Sequence, residues 1–330
     1  MDSKRNDIIR LLAGLTAAAL LAALTGCAGQ GSAPDSDALR IVCTSFPAYD
    51  WAKTLTQSNS DVEITYLLSS GVDMHNYRPS AKDMADIAAC DLLIYVGGES
   101  ETWVADAIAD TDGKERICLC MLDEVGDAAR EEEVKEGMMP EEEEEEEADE
   151  DEGPEYDEHV WLSVNNATTI CQSITKALCT LDPDHSEAYT ADLGAYAQEL
   201  TALDGAFLTL DAAGETLVFC DRFPFRYFVE DYGFDYYAAF PGCSAETEAS
   251  FETIVFLANK IDELGVKNVF ILENSDDSIA RTVIENTQTK DQGIVALNSL
   301  QSVSDQQIAD GATYISLMMQ NRDTLKEALH

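Results

Sequence analysis

Of the four histidines in this 330-residue chain, His75 stands where a metal ion could be met. It sits in Gly71-Val72-Asp73-Met74-His75-Asn76-Tyr77-Arg78-Pro79-Ser80, a loop opened by glycine and closed by proline. The apolar run 62–68 precedes it and an amphipathic helical pattern from Ala81 follows. Such a junction holds an imidazole through its backbone while leaving the ring free to bind. His159 opens His159-Val160-Trp161-Leu162-Ser163, ahead of another helical pattern. Neutral imidazole nitrogens suit zinc and also manganese. In open parallel sheets ligands bind beyond the carboxyl ends of strands. Asp221, after the strand-like run 215–220, and Asn298, after 293–297, fall at such ends, as His75 does. Two of these four residues come from each half of the chain, so all could face one gap. His185, beside Pro183, reads as a solvated helix-end residue, and His330 is uninformative. Glu246 and Glu248, in a loop after a strand, read as surface groups.

The elements that would carry these residues alternate. Runs 39–45, 62–68, 91–97 and 116–122 are strand-like, with helical patterns at 49–55, 81–90 and 102–110. After an acidic segment the first half resumes at His159 with a helix over 165–181. A break at Leu181-Asp182-Pro183-Asp184 precedes a long helical pattern over 186–210, about 35 Å at 1.5 Å per residue. The second half repeats the alternation, with strands at 215–220, 234–240, 266–273 and 293–298 and helices at 226–232, 250–264, 277–289 and 311–329. The fold class this predicts is α/β: two lobes of parallel sheet flanked by helices, joined by one long rigid helix, with the site in the cleft between them.

Charge narrows the partners. Asp and Glu number 64 against 20 Lys and Arg, a formal charge of -44, which excludes nucleic acid and favours cations. Much of the charge is local: 18 of the 28 residues from Glu131 to Glu158 are acidic, seven of them consecutive glutamates from Glu141. A block of like charge repels itself into an extended, disordered insertion, here 129–157, a solvated loop or a weak collector of divalent cations. Residues 1–27 read as an export signal, with Lys4, Arg5 and Arg10 ahead of a short apolar run and Leu24-Thr25-Gly26-Cys27 at its end. A flexible tether follows over 28–38, then an N-terminal lobe over 39–183, a linking helix over 184–213 and a C-terminal lobe over 214–330. The remaining eight cysteines do not pair at scaffold-like spacings, and several lie in apolar runs where Cys behaves as a small hydrophobe. Cys118 and Cys120 share a strand face and read as core.

Thr44-Ser45-Phe46-Pro47, the Gly71 to Tyr77 loop, His159-Val160-Trp161-Leu162-Ser163, Phe228 to Gly233 and Tyr314 to Leu329 together resemble the zinc- and manganese-binding lipoproteins of ABC importers. The similarity covers nearly the whole chain after the signal, apart from the acidic insertion. Leu24 to Cys27 likewise resembles a lipobox, which would make Cys27 the lipidated residue. The resemblance implies two α/β lobes about a rigid helix, one divalent metal between them, and a charged or His-rich loop ahead of the second histidine, where the glutamate run lies here. It implies His75 as first ligand and His159 as second. The third position falls in Cys220-Asp221-Arg222-Phe223-Pro224-Phe225-Arg226-Tyr227. Asp221 is the choice there, because a carboxylate commonly completes a two-His site, with Cys220 the softer alternative. Asn298 occupies the fourth place with at best a neutral amide oxygen, and water could fill the remaining position.

The function so implied is not enzymatic. A monomeric receptor, lipid-anchored on the outer face of the cytoplasmic membrane, would capture Zn2+ and deliver it to an ABC permease with its own ATPase. The chain has no GxxxxGK[ST] phosphate loop of its own. Mn2+ is the alternative cargo. A zinc hydrolase built on the two histidines and Asp221, or an adhesin acting through the acidic loop, are the other classes. Both imidazoles must be unprotonated to bind, and with ordinary values near 6.5 the affinity is expected to fall between pH 7 and pH 5.

Overall fold

The computed structural model describes residues 38–109, 115–139, 155–210, 212–244 and 248–329. Two four-stranded parallel sheets organise them. The first holds β1 (Leu39–Cys43), β2 (Val62–Tyr66), β3 (Leu92–Tyr95) and β4 (Ile117–Cys120) in the order β2-β1-β3-β4. The second holds β5 (Thr216–Phe223), β6 (Asp235–Pro241), β7 (Asn268–Leu272) and β8 (Gly293–Leu297) in the order β6-β5-β7-β8. The order is the same twice over. Ile41, Val42 and Cys43 on β1 and Val269 to Leu272 on β7 are buried without alternation, as parallel strands covered on both faces must be. The register of β5 against β6 slips between Phe219 and Arg222, which re-aims the end of the strand.

Helices pack these sheets: α1 (Phe46–Leu55), α2 (Ala81–Ala89), α3 (Trp103–Ala109), α4 (Met121–Val125) and α5 (Val164–Leu181) in the first half. The long α6 (Ser186–Leu208) follows, then α7 (Arg226–Tyr232), α8 (Phe251–Leu264), α9 (Ser278–Glu285), α10 (Asp305–Ala309) and α11 (Tyr314–Leu329). Ser80 and Asp83 form a reciprocal capping box that starts α2 directly after the His75 loop. Tyr189, Tyr196, Leu200, Leu203 and Phe207 give α6 its buried stripe. The terminal helix α11 returns to the first half: the amide of Tyr314 donates to Asp50 at 2.8 Å and its hydroxyl donates to the Trp161 carbonyl at 2.7 Å. One continuous core, including Trp51, Trp161, Phe207, Phe219 and Tyr314, therefore joins the two halves. A smaller core under α8 and α9 holds Val218, Leu257, Ile261 and Val269.

The acidic segment expected to be disordered over 129–157 is anchored at both its ends. Met139 donates its amide to the Ala239 carbonyl at 2.9 Å, Met138 is buried, and Lys135 pairs with Asp235 at 2.6 Å while lying over the Tyr236 ring. The amide of Glu132 donates to the Glu155 carbonyl at 2.9 Å, and that of Asp157 to the Arg130 carbonyl at 2.8 Å. Two methionines and a lysine supply what the glutamates cannot, apolar area and a matching charge. Residues 140–154, with the glutamate run, lie outside the described residues, as does the 1–37 stretch containing Cys27.

Candidate metal centre

His75 is delivered by the loop after β2. Asp73 caps a single 3-10 turn, Met74–Asn76, by accepting the His75 amide at 3.1 Å, and so fixes the backbone from which the ring projects. His159 is delivered from the other side of the insertion, just before the turn Val160–Leu162 that leads into α5. Its ring Nδ1 donates to Asp157 Oδ1 at 2.9 Å, and the same oxygen accepts the His159 amide at 2.8 Å. That arrangement places the ring proton on Nδ1 and leaves the Nε2 lone pair pointing inward. Trp161 meets the His159 ring edge-on, with centroids 5.3 Å apart.

The two rings meet. His75 Nε2 lies 3.3 Å from His159 Nε2, with the His75 side chain 3% exposed and that of His159 0%. One ion bound tetrahedrally at the usual zinc–nitrogen length of about 2.0–2.1 Å needs its two nitrogens roughly 3.3–3.4 Å apart. The pair has that spacing.

Around the rings lie groups that the sequence reading did not single out. The Ser100 hydroxyl bonds His75 Nδ1, and the Ser100 amide donates to Glu158 Oε1 at 2.8 Å. The other Glu158 oxygen, Oε2, is buried without a hydrogen-bond partner among the described residues and sits 3.6 Å from His75 Nδ1. His75, Glu158 and Cys243 each offer a donor atom, and these three atoms lie within 4.8 Å of one another. Glu158 escaped notice because it ends a run of like charges, and Cys243 because most cysteines here are core residues.

Burial governs the protonation of the centre. It pushes His75 down to about 3, helped by the neighbouring His159 and Arg222 and opposed by Asp73, so this ring is neutral at any ordinary pH. It pushes Glu158 up to about 7, against the pull of the Ser100 amide and hydroxyl. The Cys243 thiol is raised well above its usual range by burial and then by the charges of Asp157, Glu158 and Glu132. Although burial pushes Asp73 up, the Arg222 guanidinium holds its carboxyl below the usual range.

Asp221 is placed elsewhere. It lies inside β5, where Oδ1 accepts the Arg222 amide at 2.8 Å and Oδ2 accepts the Leu272 amide at 3.0 Å. Cys220 is buried in the smaller core. Asn298 spends its side-chain oxygen on the Leu300 amide at 2.8 Å, and Glu248 is exposed. Among the described residues the donor cluster at His75 comprises Glu158 and Cys243, and Asp221, Cys220 and Glu248, like His159, lie outside it. The second half instead sends Arg222 to the gap, where it pairs with Asp73 of the first half and donates to the Ser244 carbonyl at 3.4 Å.

Comparison with known proteins identifies the family. Residues 41–328 match the family profile described as ZnuA, zinc-uptake complex component A, periplasmic. The chain is 30% identical over 320 residues, 96% of its length, to the zinc-binding lipoprotein AdcA of Streptococcus pneumoniae, of which it spans 60%. It is 29% identical to the high-affinity zinc uptake system protein ZnuA of Bacillus subtilis, covering 94% of each chain. The crystal structure of the Zn(II)-bound ZnuA-like domain of Streptococcus pneumoniae AdcA superposes with a TM-score of 0.68 at 26% identity, over 88% of this chain and 98% of that one.

Proposed function

The chain belongs to the ZnuA family of zinc-uptake components, and from that premise we propose that it captures divalent zinc outside the cytoplasm for an ABC-type importer. The ion passes to a membrane permease driven by a separate ATPase, while Cys27 carries a lipid that keeps the receptor, a monomer, at the outer face of the membrane. One observation carries the reading: two buried imidazoles, 84 residues apart in sequence, present Nε2 atoms 3.3 Å from each other. His75 and His159 are the ligands this geometry supports, and Asp157 orients the second ring.

Zinc is favoured over manganese because neutral nitrogen donors at tetrahedral spacing suit zinc, whereas manganese asks for several hard oxygens. A carrier is favoured over a hydrolase by the match to a family of zinc-uptake components. Calorimetric titration of the purified chain with zinc tests the proposal. One ion per chain is expected, with binding strongly weakened in His75→Ala. Zinc binding unchanged by loss of both imidazoles would sink it, and a clear preference for manganese would reassign the cargo.

A further inference from the structure

Two neutral rings leave a dication uncompensated. Buried with imidazoles alone, the ion would keep its full charge in a low-dielectric interior, at great cost. The groups that could balance it lie on the other side of the His75 ring: the partnerless Oε2 of Glu158, 3.6 Å from Nδ1, and the Sγ of Cys243. With one His75 donor atom they lie within 4.8 Å of one another in a group that does not include His159, so both would have to close on the ion as it binds. We propose that Cys243 is a metal ligand, a thiolate acting with Glu158, and that it makes the site selective for thiophilic divalent cations, zinc and cadmium, against manganese. This rests on the zinc-capture reading above and names the class of ion that site takes.

The thiol is built into the site. Unlike Cys220, Cys243 packs in neither hydrophobic core, and its amide donates to Glu132 Oε1 at 3.0 Å, which fixes the loop after β6. That loop approaches so closely that a Cβ on Gly242 would lie 2.8 Å from the Phe223 carbonyl and 3.2 Å from the His159 ring. Across the site, a Cβ on Gly98, whose φ is +80°, would come within 2.5 Å of Glu158 Oε1. Two glycines thus leave space for the thiol-bearing loop and the carboxylate to close on the rings. On binding, the S–H bond breaks as the sulfur–metal bond forms, the electron pair staying on sulfur and the proton leaving to solvent. One thiolate and one carboxylate then offset both charges of the ion, and the soft sulfur disfavours manganese.

Cobalt(II) is the probe, added to the purified full-length chain. The expected spectrum has tetrahedral d–d bands together with a near-ultraviolet sulfur-to-cobalt charge-transfer band. Cys243→Ser should lose the charge-transfer band, keep weakened d–d bands, and bind zinc on the order of 100-fold less tightly. Cys220→Ser should keep both bands. Should Cys243→Ser not fold, alkylation of the wild-type chain decides, with Cys243 protected by zinc if it is a ligand and modified equally with and without zinc if it is not. Tetrahedral bands without charge transfer in the wild type, or charge transfer that survives Cys243→Ser, would overturn the inference and leave the capture reading standing. Failure of the wild type to bind cobalt or zinc at all would overturn both.

Discussion

The two sheets share a strand order, and equivalent loops do comparable work. The loop after β2, an edge strand of the first sheet, delivers His75; the loop after β6, its counterpart in the second, delivers Cys243. The ends of the interior strands next to them, β1 and β5, differ. After β1 the chain turns directly into α1, whereas β5 runs on through Asp221 and Arg222 to Phe223. Asp221 there satisfies two backbone amides, and Arg222 reaches across to Asp73. The loops after β2 and β6 are free to present donor atoms, and so is the loop after the interior strand β3, which carries Ser100, whereas within β5 the strand amides claim the Asp221 carboxylate.

The comparison breaks most directly at His75. His75→Ala removes one ring of the pair and should weaken zinc binding roughly 100- to 1000-fold, about the share of one ligand in a structural zinc site. Competition with a zinc-chelating dye measures it. A loss under tenfold would mean that the loop after β2 is not the ion's main anchor.

A pH titration of the same affinity sharpens the roles within the first half. His75, pushed down to about 3, is neutral throughout the physiological range and contributes no slope there. Its shift makes the metal-free fold lose stability only as pH falls below the ordinary 6.5 toward about 3. Glu158 has the opposite sign: raised from 4.5 to about 7, it favours the protonated fold, and stability is lost as pH climbs through that window. Zinc must displace that proton below pH 7, a burden that Ser100, His159 and Glu101 beside the carboxyl adjust. Log affinity plotted against pH should therefore steepen below about 7, an additional loss of about 100-fold by pH 5. Glu158→Gln should remove the break. The sequence alone assigned this fall to imidazole protonation, and a break that survives Glu158→Gln would return it there.

Asp157→Asn tests the orientation of the second ring. An amide oxygen can still accept from Nδ1 but no longer favours the imidazole as a charged partner would, so zinc affinity should drop about 10- to 100-fold with little change in stability. An unchanged affinity in the dye assay would show that Trp161 packing alone sets the ring.

Much of this was readable in the chain because its signals are local. Strands such as 91–97 and helices such as 226–232 were bounded by period and by Gly, Pro and Asp, and the folded elements lie within a few residues of them. The five-residue helices α4 and α10 were missed, being too short to show a period. His75 was visible through its Gly and Pro frame. Glu158 was hidden because a run of acids conceals the members that turn inward, here Asp157 and Glu158, the latter received by the Gly98 gap and the Ser100 amide, both distant in sequence. Cys243 was hidden by the company of core cysteines.

Asp221 was a candidate from the sequence because the strand was expected to stop at residue 220, and was preferred because a carboxylate commonly completes a two-His site. Pairing with β6 carries the strand to Phe223, so the carboxylate sits within the ladder, where two amides claim its oxygens even though the residue lines a cavity shared with Arg222 and with Asn76 of the His75 loop. Asp221→Asn keeps one acceptor oxygen for two amides and leaves a buried N–H facing an NH2 group. The expected cost is about 1–3 kcal/mol of stability, read as a lower urea midpoint of the metal-free chain. Zinc affinity should stay within about threefold of wild type, since the nearest consequence for the site passes through the neighbouring Arg222 and its pair with Asp73. If zinc binding fell with stability unchanged, the carboxylate would have to leave its two amides for the ion, and the contrast between the donor-bearing loops and the β5 ladder would fail at the residue that defines it.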